Sequence, residues 1–323
     1  LNKLILSFSI IVAGLSIGYG LQLLTAQGRI RLPISIDRLR LGLQKAALLF
    51  FMPVTVFAAI WTTHLSSARV AALPLFGAGA IILGGALALS AARLLRLGPA
   101  QTGSFFVCGA FTNIGSVGAL VCYLFLGESG FALVPVYKLF EELTYYGVGF
   151  PIAKYFSTSS YAPAGAGKRI RAMARDPFIL TALSAIALGS LMNVSNIPRP
   201  AFFQTINAVF IPLGTGMLLI SIGLAMKFKR VGAYVKPCLT VAIIKFVCVP
   251  AAMGALAMLA GYGRIDNGLP LKVVLILSSM PVAFNALIPP SIYRLDLDLA
   301  NACWFFSTAA LLLVLPILHA VLV

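Results

Sequence analysis

Apolar residues run through this chain in continuous stretches about 20 residues long, the length a helix needs to cross the hydrocarbon of a bilayer. Two of the stretches are interrupted in their middles. GAFTNIGSVGALV, residues 109–121, and SMPVAFNALIPPSIY, residues 279–293, each set an asparagine among helix-breaking Gly or Pro: Asn113 in the first, Asn285 in the second. Backbone groups freed by such a break cost several kcal/mol when they face lipid, so breaks persist only against protein or a water-filled cavity. A pair of interrupted spans at corresponding places in two halves of a chain points to the binding site of a secondary transporter.

Composition sets the class. Of 323 residues, 60% are hydrophobic and 10% charged, which identifies an all-α polytopic membrane protein. A membrane barrel would show short alternating segments instead. The net charge of +16 falls in short loops between apolar spans, so it reads as topology and attraction to lipid headgroups, with no nucleic acid as partner. The five cysteines lie in or beside apolar spans without a CxxC pair, and His64 and His319 make no metal spacing. No P-loop is present, and GLSIG at 14–18, a formal G-x-S-x-G, also matches the helix-packing pattern GxxxG. No enzyme, resident cofactor or metal is expected.

Ten spans are expected, near 4–24, 42–62, 70–93, 103–125, 130–156, 177–194, 204–226, 236–261, 270–292 and 299–322. The first reads as a span rather than a signal peptide. The small, polar, then basic stretch 157–175 divides them as a linker, giving residues 1–156 and 176–323 as halves of five spans each. An odd number inverts the second half relative to the first. Prolines recur in matching order: Pro53 and Pro212 in the second and seventh spans, Pro151 and Pro316 ending the fifth and tenth. Arg and Lys crowd one side, at 29–40, 93–96, 168–175 and 227–230, so that side and the linker should be cytoplasmic and both termini outside. For a bacterial source this is the inner membrane.

Four groups carry candidate chemistry. Half-helix ends at the two breaks would offer free N–H groups and positive dipole to a carboxylate, with Asn113 and Asn285 adding neutral amides. Gly115 and Gly118 permit close backbone approach, and Pro281 removes a donor. The fifth span carries Lys138, Glu141 and Glu142 in VYKLFEELTYY, three charges on one helix face at a depth where charge is expensive. One glutamate is left over for proton coupling, and Tyr137, Tyr145 and Tyr146 flank the cluster. Lys245 in the eighth span would neutralise an anionic substrate or pair with Glu141 or Glu142.

These residues resemble the auxin efflux carrier family, the PIN-like transporters with bacterial organic-acid permeases among them. The fourth-span pattern N-x-G-x-x-G is matched by Asn113, Gly115 and Gly118. The ninth-span pattern M-P-x-A-x-N-A is matched from Met280 through Pro281, Ala283, Asn285 and Ala286. Asp296, Ala300, Ser307, Thr308 and Pro316 match the tenth span, and Pro53, Pro212, Gly223 and Leu224 the second and seventh. The chain departs at Leu120, where the family often has proline, and at Glu141 and Glu142, where neutral amides are usual. The resemblance implies ten transmembrane helices in two inverted five-helix repeats with crossed, broken fourth and ninth helices. The bile acid:sodium symporters share this NhaA-like architecture. It further implies an elevator-like scaffold with a moving transport domain, an anionic substrate and a homodimer as an assembly; spans 1, 2, 6 and 7 are expected to form the scaffold or the dimer face, and the rest to move.

The expectation is a transporter or facilitator for a small organic anion, working by alternating access. Asn113, Gly115, Gly118, Pro281 and Asn285 would hold substrate, with Glu141, Glu142, Lys138 and Lys245 for coupling or charge balance. H+ or Na+ are the candidate coupling ions. The alternatives are a sodium-coupled symporter of the bile-acid type and, more distantly, an ion channel.

Overall fold

The computed structural model describes residues 2–62, 68–157, 175, 177–195, 197–226 and 231–322. The inner part of the expected linker 157–175, together with Lys227, Lys229, Arg230 and His64, lies outside the described residues. All regular structure described is helical. The α-helices are α1 (Asn2–Ala26), α2 (Ile36–Ala46), α3 (Met52–Thr62), α4 (Leu73–Leu94), α5 (Pro99–Ala110), α6 (Ala119–Tyr137), α7 (Glu141–Thr144), α8 (Phe150–Tyr155), α9 (Pro177–Val194), α10 (Phe202–Gly223), α11 (Val235–Ile243), α12 (Val249–Leu259), α13 (Leu269–Ser278), α14 (Ile288–Ile292) and α15 (Leu297–Leu322).

Among the described residues seven helical runs are long and apolar enough to cross a membrane, and Leu180–Val194 is a shorter apolar helix. The difference from ten has a physical cause. The fourth and ninth spans are interrupted, and the second half of the fourth runs on into the fifth as one stretch, Ile114–Tyr155. Gly127, at φ 74°, divides that stretch at a backbone angle that glycine adopts freely.

Four five-residue π-helical turns occur among the described residues, and three of them end just before a proline. Ala47–Phe51 precedes Pro53, Tyr145–Gly149 precedes Pro151 and Ile244–Cys248 precedes Pro250. A proline ring collides with the carbonyl four residues back and offers no N–H. A widened turn moves that carbonyl aside. The residue ahead of each proline bonds five back instead: Met52 to Ala47, Phe150 to Tyr145 and Val249 to Ile244. The spans thus absorb their prolines without breaking.

The chain forms two compact units, each drawing on both halves of the sequence. The first comprises Leu1–His64, Ala119–Pro135 and Ile170–Met226, and so gathers spans 1, 2, 6 and 7. Here α1 packs on α10 through glycine: a Cβ on Gly18 would stand 2.1 Å from the Ile220 carbonyl oxygen, and one on Gly223 2.4 Å from that of Leu15. GLSIG is therefore a packing face. In the same unit Arg199 donates to the Glu128 carboxylate and, at 2.9 Å, to the Ala58 carbonyl. Asn207 donates to the same carboxylate at 3.2 Å.

The second unit comprises Leu65–Gly118, Val136–Arg169 and Lys227–Val323. Within it α4 packs on α5, α12 on α13, and α15 on both α11 and α5. It holds both interruptions.

Candidate functional site

The fourth span stops at Ala110, where Phe111 turns extended (φ −83°, ψ 129°). Helix resumes at Ile114. The ninth span stops at Ser278 and passes through extended Ala283 (φ −68°, ψ 148°) into a short 3-10 turn, Phe284–Leu287. Gly and Pro explain why the helices stop. Their pairing explains why the stop is tolerated. The two extended stretches meet as an antiparallel bridge between Thr112 and Val282. Asn113 N–H donates to the Pro281 carbonyl at 2.9 Å, and Ala283 N–H to the Phe111 carbonyl at 3.1 Å.

The two central N–H groups of the bridge point away from it, and each finds a hydroxyl on a following helix. Thr112 N–H donates to the Tyr145 hydroxyl at 3.1 Å, and Val282 N–H donates to the Ser307 hydroxyl at 3.1 Å. Six freed backbone groups are thereby satisfied inside the protein, as a low-dielectric surround requires.

Three charged side chains reach this bridge. Lys245, 1% exposed, donates to the Thr112 hydroxyl and, at 3.3 Å, to the Ala110 carbonyl. It stands at the C-terminal end of α5, where unbonded carbonyls and the helix dipole favour a cation. The sequence suggested a partner for substrate or for Glu141 or Glu142; its hydrogen bonds go instead to the end of the broken helix. On the other side, Tyr145 donates to Glu141 Oε1 at 2.9 Å and stacks on Phe111 at a centroid distance of 3.9 Å. Glu141 Oε2 pairs with Lys138 Nζ at 3.0 Å. Lys138, Glu141, Tyr145, Thr112 and Lys245 form one continuous polar chain.

The expected fifth-span helix is interrupted within this chain. Turn residues 138–140 separate α6 from α7, and Glu141 N–H donates to the Lys138 carbonyl at 2.8 Å. A turn therefore sets the Lys138–Glu141 pair. Glu142 is partly exposed, while Glu141 is buried.

The two asparagines are unequal. Asn113 is buried, and its Oδ1 accepts from the Ser116 hydroxyl and, at 3.5 Å, from Val117 N–H. It caps the resumed helix. Asn285 is exposed in the 3-10 turn. Gly118 is needed for packing, since a Cβ there would stand 2.8 Å from Leu277 and 3.2 Å from Met280. Gly115 is the residue of the 111–118 segment that is not fully buried, and a Cβ on it would meet Lys138 Nζ at 3.3 Å. Pro281 contributes its carbonyl to the bridge.

Thr112 and Ser307 are central here; Thr112 carried no mark of its own in the sequence, and Ser307 only its place in the tenth-span pattern. The adjacency of Thr112 to Asn113 was the available signal. Glu128, Arg199 and Asn207 carried no sequence signal beyond being polar groups among apolar spans.

Seven long apolar helices and a buried polar centre built on interrupted spans define the class, an integral membrane protein. Residues 37–161 match the model of the family described as membrane transport protein, the family of the auxin efflux carriers. The matched segment contains the fourth-span break, Lys138 and both glutamates. Comparison with curated proteins gives no match.

Proposed function

We propose that this protein is a secondary transporter for a small organic anion, working by alternating access through ten spans in two inverted repeats. The observation that carries the reading is the bridge between two interrupted helices, flanked by buried Lys245, buried Glu141 and partly exposed Lys138. Discontinuous helices that meet at a polar centre are how secondary transporters present backbone groups to a substrate. Asn285, Gly115 and the capped helix start at Asn113 are the groups proposed to meet the anion, with Gly118 and Pro281 shaping the backbone around them. Glu141 is the proposed coupling group, with Glu142 its partly exposed neighbour and Lys245 holding charge balance. The unit that gathers spans 1, 2, 6 and 7 is the proposed scaffold, and the unit with the bridge the moving body. The basic loops are proposed to face the cytoplasm, in a bacterial inner membrane with both termini outside.

The test is uptake of radiolabelled carboxylates into proteoliposomes, with sodium replaced by choline and the pH gradient varied. Saturable uptake that needs a proton gradient supports the reading. Strict sodium dependence would move it to the bile-acid symporter type, and non-saturating flux to a channel. Asn113→Ala combined with Asn285→Ala should abolish uptake; unchanged uptake would sink the site assignment.

A further inference from the structure

We propose that Lys138 is the cation that receives the anionic group of the substrate, and that Glu141 is its built-in competitor. A carboxylate on Lys138 and a proton on Glu141 would then bind together, as one anion with one proton. The inference rests on the anion-transport reading above and names the ligand's charge partner and its coupling.

Accessibility separates the two lysines of the site. Lys245 is 1% exposed and committed to Thr112 and Ala110. The Lys138 side chain is 35% exposed, while that of its partner Glu141 is 7% exposed. Lys138 thus sets its ammonium on a buried carboxylate while its own side chain stays partly exposed. Nζ itself lies beside Gly115, where a Cβ would stand 3.3 Å from it. An arriving anion therefore meets Lys138 where the fourth span resumes, beside the Asn113 cap.

Electrostatics supplies the coupling. While Glu141 is ionised, the pair is neutral and a second carboxylate at Lys138 adds an unmatched negative charge at low dielectric, which is costly. A proton from solvent on Oε2, the oxygen that faces Lys138, releases the ammonium to the incoming anion. Oε1 keeps its bond from Tyr145. The one bond made is the O–H bond of that proton, and one proton plus one monocarboxylate carry no net charge into the site. The other charged or titratable groups around Glu141 are Glu142 beside it in sequence, Tyr145, and Lys245, whose charge reaches Glu141 across Thr112. Helix α4, which packs on α7, brings no titratable group before Arg93.

The sign follows from linkage: if the anion binds only with Glu141 protonated, its apparent affinity rises as pH falls, by about tenfold per unit over the range where Glu141 is mostly ionised. The experiment measures uptake of radiolabelled benzoate, indole-3-acetate and succinate into proteoliposomes across a pH series, with an internal pH dye reading proton entry. Expected results are that slope, internal acidification on adding the transported carboxylate, and a flat profile for Glu141→Gln with high affinity kept at neutral pH. Lys138→Gln should lose uptake at every pH, and Lys138→Arg should restore part of it. A slope that survives in Glu141→Gln, or that vanishes only in Glu142→Gln, overturns the competition, as does normal uptake by Lys138→Gln. Should Glu141→Gln fail to fold, acidification by wild-type protein decides, since uptake without it overturns the proposal. Uptake of none of the three anions by wild-type protein would overturn the transport reading itself.

Discussion

Tyr145 has one hydroxyl and serves three neighbours with it: the Thr112 N–H, the Glu141 carboxylate and, at 3.3 Å, the Thr112 carbonyl. Tyr145→Phe keeps the ring stacked on Phe111 but leaves a buried N–H without its acceptor, at a cost of about 1–3 kcal/mol. Thermal unfolding in detergent should show that loss, and Ser307→Ala should show a similar one through the Val282 N–H. Glycine positions separate in the same assay. Gly118→Ala presses on Leu277 and Met280 and is expected to cost about 1–3 kcal/mol. Gly115→Ala meets only the movable end of Lys138, so it should affect uptake more than stability. At this scale Asn113, Lys138 and Glu141 were legible in the sequence because polar groups inside apolar runs are conspicuous. Tyr145 was marked only as flanking that cluster and Thr112 not at all, because only their partners give them a role.

Helices in this protein are shaped by where their prolines fall. Pro53, Pro151 and Pro250 each follow a widened turn and leave the span continuous. Pro281 instead lies in an extended stretch that pairs with another strand-like stretch. A proline in an apolar run therefore does not by itself predict a break, and the sequence reading of interrupted spans depended on Gly and Asn as well. Helix packing gives a matching test. Gly18→Leu would drive a side chain into the backbone of α10, and α1 should then separate from it, with a loss of several kcal/mol by the overpacking mechanism. A Cβ on Gly20 or Gly216 meets nothing within 4 Å, so Gly20→Ala and Gly216→Ala should not destabilise the protein. Melting temperatures of the three variants in detergent check this directly.

Over the whole molecule, the unit that gathers spans 1, 2, 6 and 7 is tied by Arg199 and Glu128, 71 residues apart in sequence. Both side chains are largely buried, so Arg199→Met strands a carboxylate and should cost about 3 kcal/mol. Arg199→Met with Glu128→Met should recover much of it, and a double-mutant cycle by thermal unfolding measures the coupling. The sequence alone determined the membrane class and the places where two spans stop, because apolar length and helix-breaking residues act locally. It also marked Lys138, Glu141 and Lys245 as costly charges. Which groups would satisfy them was a tertiary matter. The freed peptides of one break are paired by the other break, 170 residues away in the Thr112–Val282 bridge, and by the hydroxyls of Tyr145 and Ser307. Lys245 turned to a helix end rather than to a glutamate. Those choices depend on which surfaces meet once the helices pack, and no local pattern encodes them.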